Sequence, residues 1–125
     1  MSYDIRLGVK VAGAPDDCYA EIMSPRYDSP TYNLGKMFRA CTGWDYKQGK
    51  WYKVSEVLPL IEHGVHELRF NSKEYQKYTP ENGWGSLGGA LETLESMLEC
   101  IRRNTGDDEM WSVNDIPIDC LYIKW

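Results

Sequence analysis

Long apolar runs are missing from this chain of 125 residues, and no stretch approaches the roughly 20 residues needed to cross a bilayer. The opening, MSYDIRLGVK, also lacks the apolar segment behind a basic start that an export signal requires. These two absences predict a cytoplasmic chain without membrane attachment. Positive charge is in deficit: 14 Lys plus Arg against 19 Asp plus Glu give a formal net charge of −5, which disfavours non-specific binding to nucleic acid. The four cysteines, Cys18, Cys41, Cys100 and Cys120, form no C-x-x-C pair, so neither a zinc knuckle nor a thioredoxin-type motif is readable. Reduced, mostly buried thiols are expected. Phenylalanine is scarce, with two residues, whereas nine Tyr and five Trp put a polar handle on most of the rings. Such rings suit half-buried positions and interfaces.

What is present reads as one globular unit, with no internal repeat, low-complexity tract or linker. Tyr3, Ile5, Leu7, Val9 and Val11 alternate with polar residues, the period-two pattern of a strand with one buried face. The turn chemistry of GAPDD follows, and CYAEIM then alternates Cys18, Ala20 and Ile22 inward, predicting an antiparallel hairpin. SPRYDSP, with Pro25 and Pro30, is a loop. Leu34, Met37, Phe38 and Cys41 recur at helical spacing, with Asn33 or Thr31 available as N-cap and Gly43 beyond the end. A second helix is capped by Ser55 and carries Leu58, Ile61, Val65 and Leu68, with Pro59 tolerated in its first turn and Gly64 weakening it. Ser86 opens the main core helix, whose apolar face is Leu87, Ala90, Leu91, Leu94, Met97, Leu98 and Ile101. The tail WSVNDIPIDCLYIKW closes the sheet with one or two strands, and two competing parities leave their register open. The order predicts an α+β fold: a small antiparallel sheet, made of the N-terminal hairpin plus C-terminal strand or strands, covered on one face by about three helices.

SYDIRL, PTYNLGKMFRACTGWD, KVSEVLPLIEHGVHELRFN and NGWGSLGGALETLESMLECI resemble a family of small uncharacterised proteins carried by bacteria, prophages and phages. The resemblance runs from Ser2 to about Ile101 and is marked by Tyr3, Asp4 and Ile5, by Thr31, Tyr32 and Asn33, by Met37 and Phe38, and by Asn82, Gly83, Trp84 and Gly85. The tail departs from the family pattern. The family brings no established activity, cofactor or catalytic residue, so the resemblance implies a mobile-element setting. Small proteins in that setting often act by binding, including inhibition of host defence, and that inference is by analogy.

The candidate chemistries are few. EHGVHE places His63 and His66 one helical turn apart and His63 and Glu67 at i and i+4, a weak metal-ligand pattern without a third recognised ligand. A solvated helix face is the favoured explanation. No cysteine sits in an activating motif, and no nucleophile is paired with a base. GWGSLGG, from Gly83 to Gly89, is a glycine-rich turn opening a helix; it lacks the lysine of a P-loop, and Trp84 is expected to pack against the helix it introduces. The densest binding signal is the set Tyr27, Tyr32, Asn33, Trp44, Tyr46, Lys47, Trp51 and Tyr52, to which Trp84 is added. The same rings would serve as casing for the sheet edge.

Two functions follow. The first is a non-enzymatic binder of a host protein, acting through that aromatic-rich surface. The second is a small-ligand protein that sequesters or hydrolyses a nucleotide-like molecule, with Asn33, Lys47 and the turn from Gly83 to Gly89 contacting phosphate. No cofactor is expected in either, and the ligand reading leaves room for a homo-oligomer with sites between subunits.

Overall fold

The computed structural model describes residues 1–15 and 18–125, so Asp16 and Asp17 of the expected turn lie outside the described residues. Alternation in the N-terminal segment builds β1 (Arg6–Lys10), which pairs antiparallel with β2 (Tyr19–Met23) as the hairpin pattern predicts. Tyr3 and Ile5 hold the expected inward positions, but their amides donate to the carbonyls of Pro30 and Asp28, each at 2.8 Å, instead of to a strand. The inward set of β2 differs from the expectation. A register shift between Leu7 and Gly8 sets Met23 opposite Leu7, and Cys18 and Ala20 are exposed because β2 is an edge strand.

The strand order is β2-β1-β4-β3, all antiparallel, where β3 is Trp51–Lys53 and β4 is Leu121–Lys124. β3 is absent from the sequence reading, since three residues are too few for a period to show. The tail resolves to one strand: Leu121 and Ile123 point into the core, Trp125 is buried behind them, and Ile118–Cys120 forms a 3-10 turn.

Four helices among the described residues complete the α+β fold: α1 (Gly35–Thr42), α2 (Val54–Phe70), α3 (Ser72–Tyr75) and α4 (Leu87–Thr105). α1 follows a 3-10 turn, Tyr32–Leu34, capped by Thr31, whose hydroxyl accepts from the Asn33 amide at 3.3 Å. It stops at Gly43, which is in the left-handed region as anticipated. α2 starts after Lys53 and not after Ser55; its fully buried stripe is Val54, Val57, Ile61, Gly64 and Leu68, which leaves Leu58 and Val65 half-buried. Gly64 serves as a packing notch, because a Cβ there would lie 2.6 Å from Thr42 Cγ2 and 3.0 Å from Leu94 Cδ1. α4 begins at Ser86, whose hydroxyl accepts from the Gly89 amide at 3.0 Å, and buries Ala90, Leu94, Met97 and Ile101 as its pattern requires. These helices and the inward face of the sheet enclose one contiguous core.

Candidate functional site

The aromatic cluster read from the sequence separates into three environments. Trp44 and Tyr46 are buried, so the expectation that they grip a partner is corrected: both are core. The cause is a knot of rings closed by the last residue of the chain. Tyr46 stacks on Trp125 with centroids 4.2 Å apart, Trp44 meets both rings from the side at 5.7 and 5.8 Å, and Tyr3 and Phe38 fill the remaining edges. The Tyr46 hydroxyl donates to Tyr3 Oη at 2.9 Å, and burial first, then this bond, pushes its phenol well above the ordinary range. Tyr52 is half-buried on the same side and abuts Trp44 edge-on at 5.2 Å, while its hydroxyl accepts from the Lys47 amide at 2.7 Å.

Trp51 lies on the opposite, helix-free face of the sheet, stacked on Tyr19 at 5.1 Å with Lys124 Nζ 5.2 Å from its centroid. The charges of that face are matched: Lys124 pairs with Glu21, and Arg6 reaches Asp4, Glu21 and Asp28. Lys47 projects into solvent beside Asp45.

Of the rest of the set, Tyr27, Tyr32 and Asn33 line two clefts that flank the turn at Gly83. The larger, about 740 Å³, holds Tyr32, Asn33 and Lys36 on one wall and residues 77–82 on the other. Asn33 does not cap α1, and its side chain is exposed there. The smaller, about 520 Å³, lies between the loop of residues 26–31 and the start of α4, with Leu34 and Pro30 as apolar lining. Its size and mixed lining are those of a small-molecule pocket. One wall is pinned: the Tyr27 amide donates to Ser96 Oγ of α4 at 3.3 Å, and the carbonyls of Asp28 and Pro30 hold the N-terminal segment. The other wall is the glycine turn, with Gly83 at φ 76° and Gly85 at φ 116°. Gly85 is pressed against Leu34 and Thr31, where a Cβ would approach within 2.9 and 3.0 Å. Trp84, between these glycines, is 70% exposed and does not pack on α4 as expected.

The cleft also gathers residues that sequence reasoning passed over, Arg26 and Glu92. Pro25 and Pro30 marked their loop, but nothing in the pattern distinguishes Glu92 from other solvated glutamates. Three hydroxyls of the cleft are already engaged. Thr31 and Ser86 cap helices, and Thr93 Oγ1 donates to the Gly89 carbonyl at 3.0 Å.

Elsewhere among the described residues the reactive side chains do not converge. His63 and His66 are both exposed on α2; His63 Nε2 is 3.9 Å from Glu67, while His66 leans on Phe70. Bonds from Asn71 and Tyr75 occupy the Glu67 carboxylate and hold it below its usual range. Burial pushes the thiols of Cys41 and Cys100 up to about 12, which leaves them protonated and poor nucleophiles. Cys18 and Cys120 are exposed, and all four cysteines are free. No helix of the described residues is long and apolar enough to cross a membrane.

Comparison with family models, with curated proteins and with solved structures finds no match for this chain. The functional reading therefore rests on the clefts and surfaces themselves.

Proposed function

We propose that the protein is a non-enzymatic binding protein that sequesters a small, nucleotide-sized ligand in the cleft between the loop of residues 26–31 and the turn that opens α4. The observation that carries this reading is the cleft of about 520 Å³, in which an apolar lining is joined by three charged side chains, Arg26, Asp28 and Glu92. Binding without turnover is favoured because the hydroxyls of Thr31, Ser86 and Thr93 are engaged in capping and helix bonds and the raised thiols lie in the core. The experiment is a thermal-shift panel of nucleotides, each followed by recovery of the ligand. A ligand at a hundred times its Kd adds about 2.7 kcal/mol to stability, and sequestration returns it unchanged. A panel that leaves the melting temperature untouched removes the reading.

A second reading, capture and inhibition of a host defence protein in the mobile-element setting, is favoured by a different observation. The loop after α4 displays Met110, Trp111 and Val113 at 79%, 64% and 51% exposure behind the acidic run Asp107, Asp108 and Glu109. That loop is ordered by its own bonds: Asp108 Oδ1 accepts from the Met110 and Trp111 amides, and Arg103 Nε donates to the Trp111 carbonyl at 3.0 Å. Rigidly displayed apolar anchors suit a protein interface better than the buried rings of Trp44 and Tyr46.

A further inference from the structure

The larger cleft, of about 740 Å³, is lined by two lysines from elements remote in sequence: Lys36 at the start of α1 and Lys77 in the 3-10 turn Gln76–Tyr78. Neither ammonium pairs with a carboxylate among the described residues. Lys36 has no hydrogen-bond or ion-pair partner there, and Lys77 has only the Tyr78 ring, whose centroid is 5.3 Å from Nζ. Arg6, Arg26, Arg69 and Lys124, by contrast, each reach a carboxylate. Two like charges on the walls of one cleft focus a positive potential inside it, in a chain whose net charge is −5.

Bonds within the walls add to that preference. Tyr32 Oη accepts from Gln48 Nε2, which leaves the phenol proton free to donate. Asn82 Oδ1 accepts from the Trp84 amide at 3.0 Å, which leaves the Asn82 amide hydrogens free, and the exposed Asn33 side chain is uncommitted. At Tyr32 and Asn82, internal bonding therefore consumes acceptors and spares donors. Glu81 is the one carboxylate that lines the cleft, and it pairs with neither lysine. Both walls are built without a ligand: Tyr32 meets Tyr3 edge-on at 4.7 Å, and Tyr78 packs half-buried against the core. The charges of the smaller cleft are arranged differently. Arg26 is paired with Glu99 and Asp28 with Arg6, and the free carboxylate of Glu92 repels anions.

We infer that the larger cleft is a second binding site, for an anion of the diphosphate type. Lys36 answers its charge from one wall and Lys77 from the other, while Asn33, Asn82 and the Tyr32 hydroxyl donate to its oxygens. The cleft exceeds what one phosphate fills, and two ammoniums call for more than one anionic group. The site is independent of the ligand assigned to the smaller cleft.

The test titrates the full chain by calorimetry at low salt with pyrophosphate, inorganic phosphate, adenosine 5′-diphosphate and adenosine. Pyrophosphate and adenosine 5′-diphosphate are expected to bind alike, about tenfold more tightly than inorganic phosphate. Lys36→Gln and Lys77→Gln each weaken pyrophosphate about tenfold, and Glu81→Gln tightens it. Lys53→Gln, which removes the same charge from an exposed residue of β3, leaves the affinity unchanged. Circular dichroism melts establish that each variant is folded. An equal loss in Lys53→Gln marks a response to net charge and overturns the site. Binding of adenosine 5′-diphosphate and adenosine without pyrophosphate marks base recognition and also overturns it. Loss in Arg26→Gln with both lysine variants unaffected puts the anion in the smaller cleft, which overturns this inference and leaves the sequestration reading standing. Absence of pyrophosphate binding overturns it as well. The nucleotide panel, repeated on the Lys36→Gln, Lys77→Gln double variant, then decides the smaller cleft alone.

Discussion

Trp44 and Trp84 are the same residue type with opposite fates, and local context explains only one of them. Trp84 sits between two glycines that offer it nothing to pack on, so its exposure follows from its immediate neighbours. Trp44 lies in a stretch that looks equally loop-like, yet it is enclosed because Trp125, at the far end of the chain, comes to lie beside it. No period or motif in one segment reports a partner that distant. The consequence is measurable. Trp44→Ala should cost about 3–5 kcal/mol in urea unfolding, the ordinary penalty for emptying a buried aromatic site. Trp84→Ala should stay within about 0.5 kcal/mol of wild type. Equal effects at the two positions would contradict the burial assigned to them.

Among the elements, those with a long period and clear caps were legible, and the short ones were not. α4 has a Ser cap and four fully buried apolar positions on one stripe, and both were readable. α1 was readable by its spacing and by Gly43. α2 was placed correctly but rotated: its buried stripe runs through Val54, Val57 and Gly64, because it is wedged between α1 and α4 and meets both. The glycine that looked like a weak point is where the three helices approach. Gly64→Ala, a change that normally favours a helix, is therefore expected to destabilise by about 1–3 kcal/mol through overpacking against Thr42 and Leu94. A gain in denaturation midpoint would show that the contact is looser than described. β3 escaped notice altogether, and with it the reason that Trp51 faces away from the helices.

For the molecule as a whole, the α+β class followed from the segregation of strands and helices, while the site did not, because a cleft is a property of the gap between segments remote in sequence. Loop 26–31 and residues 83–93 are brought together by Gly85 against Thr31 and by the Tyr27 amide on Ser96 of α4. Burial also sets a global response to alkali. Cys41 and Cys100 are raised from 9.0 to about 12 by desolvation, so in the unfolded chain they ionise near pH 9 while the folded chain keeps them neutral. Their contribution is complete below pH 9 and is lost as pH rises through about 12. Urea midpoints measured at pH 8 and pH 11 should fall, and the loss should be smaller in a Cys41→Ala, Cys100→Ala double variant measured against its own pH 8 value.

β4 is the last strand in the chain but not the last in the sheet: it lies between β1 and β3 and hydrogen-bonds to both. During synthesis, β1 and β3 leave the ribosome long before the strand that joins them, and each waits with an open edge. The sheet can be zipped shut only after residues 121–125 have cleared the exit tunnel. A chain that stalls shortly before that point would present two unpaired borders to its neighbours.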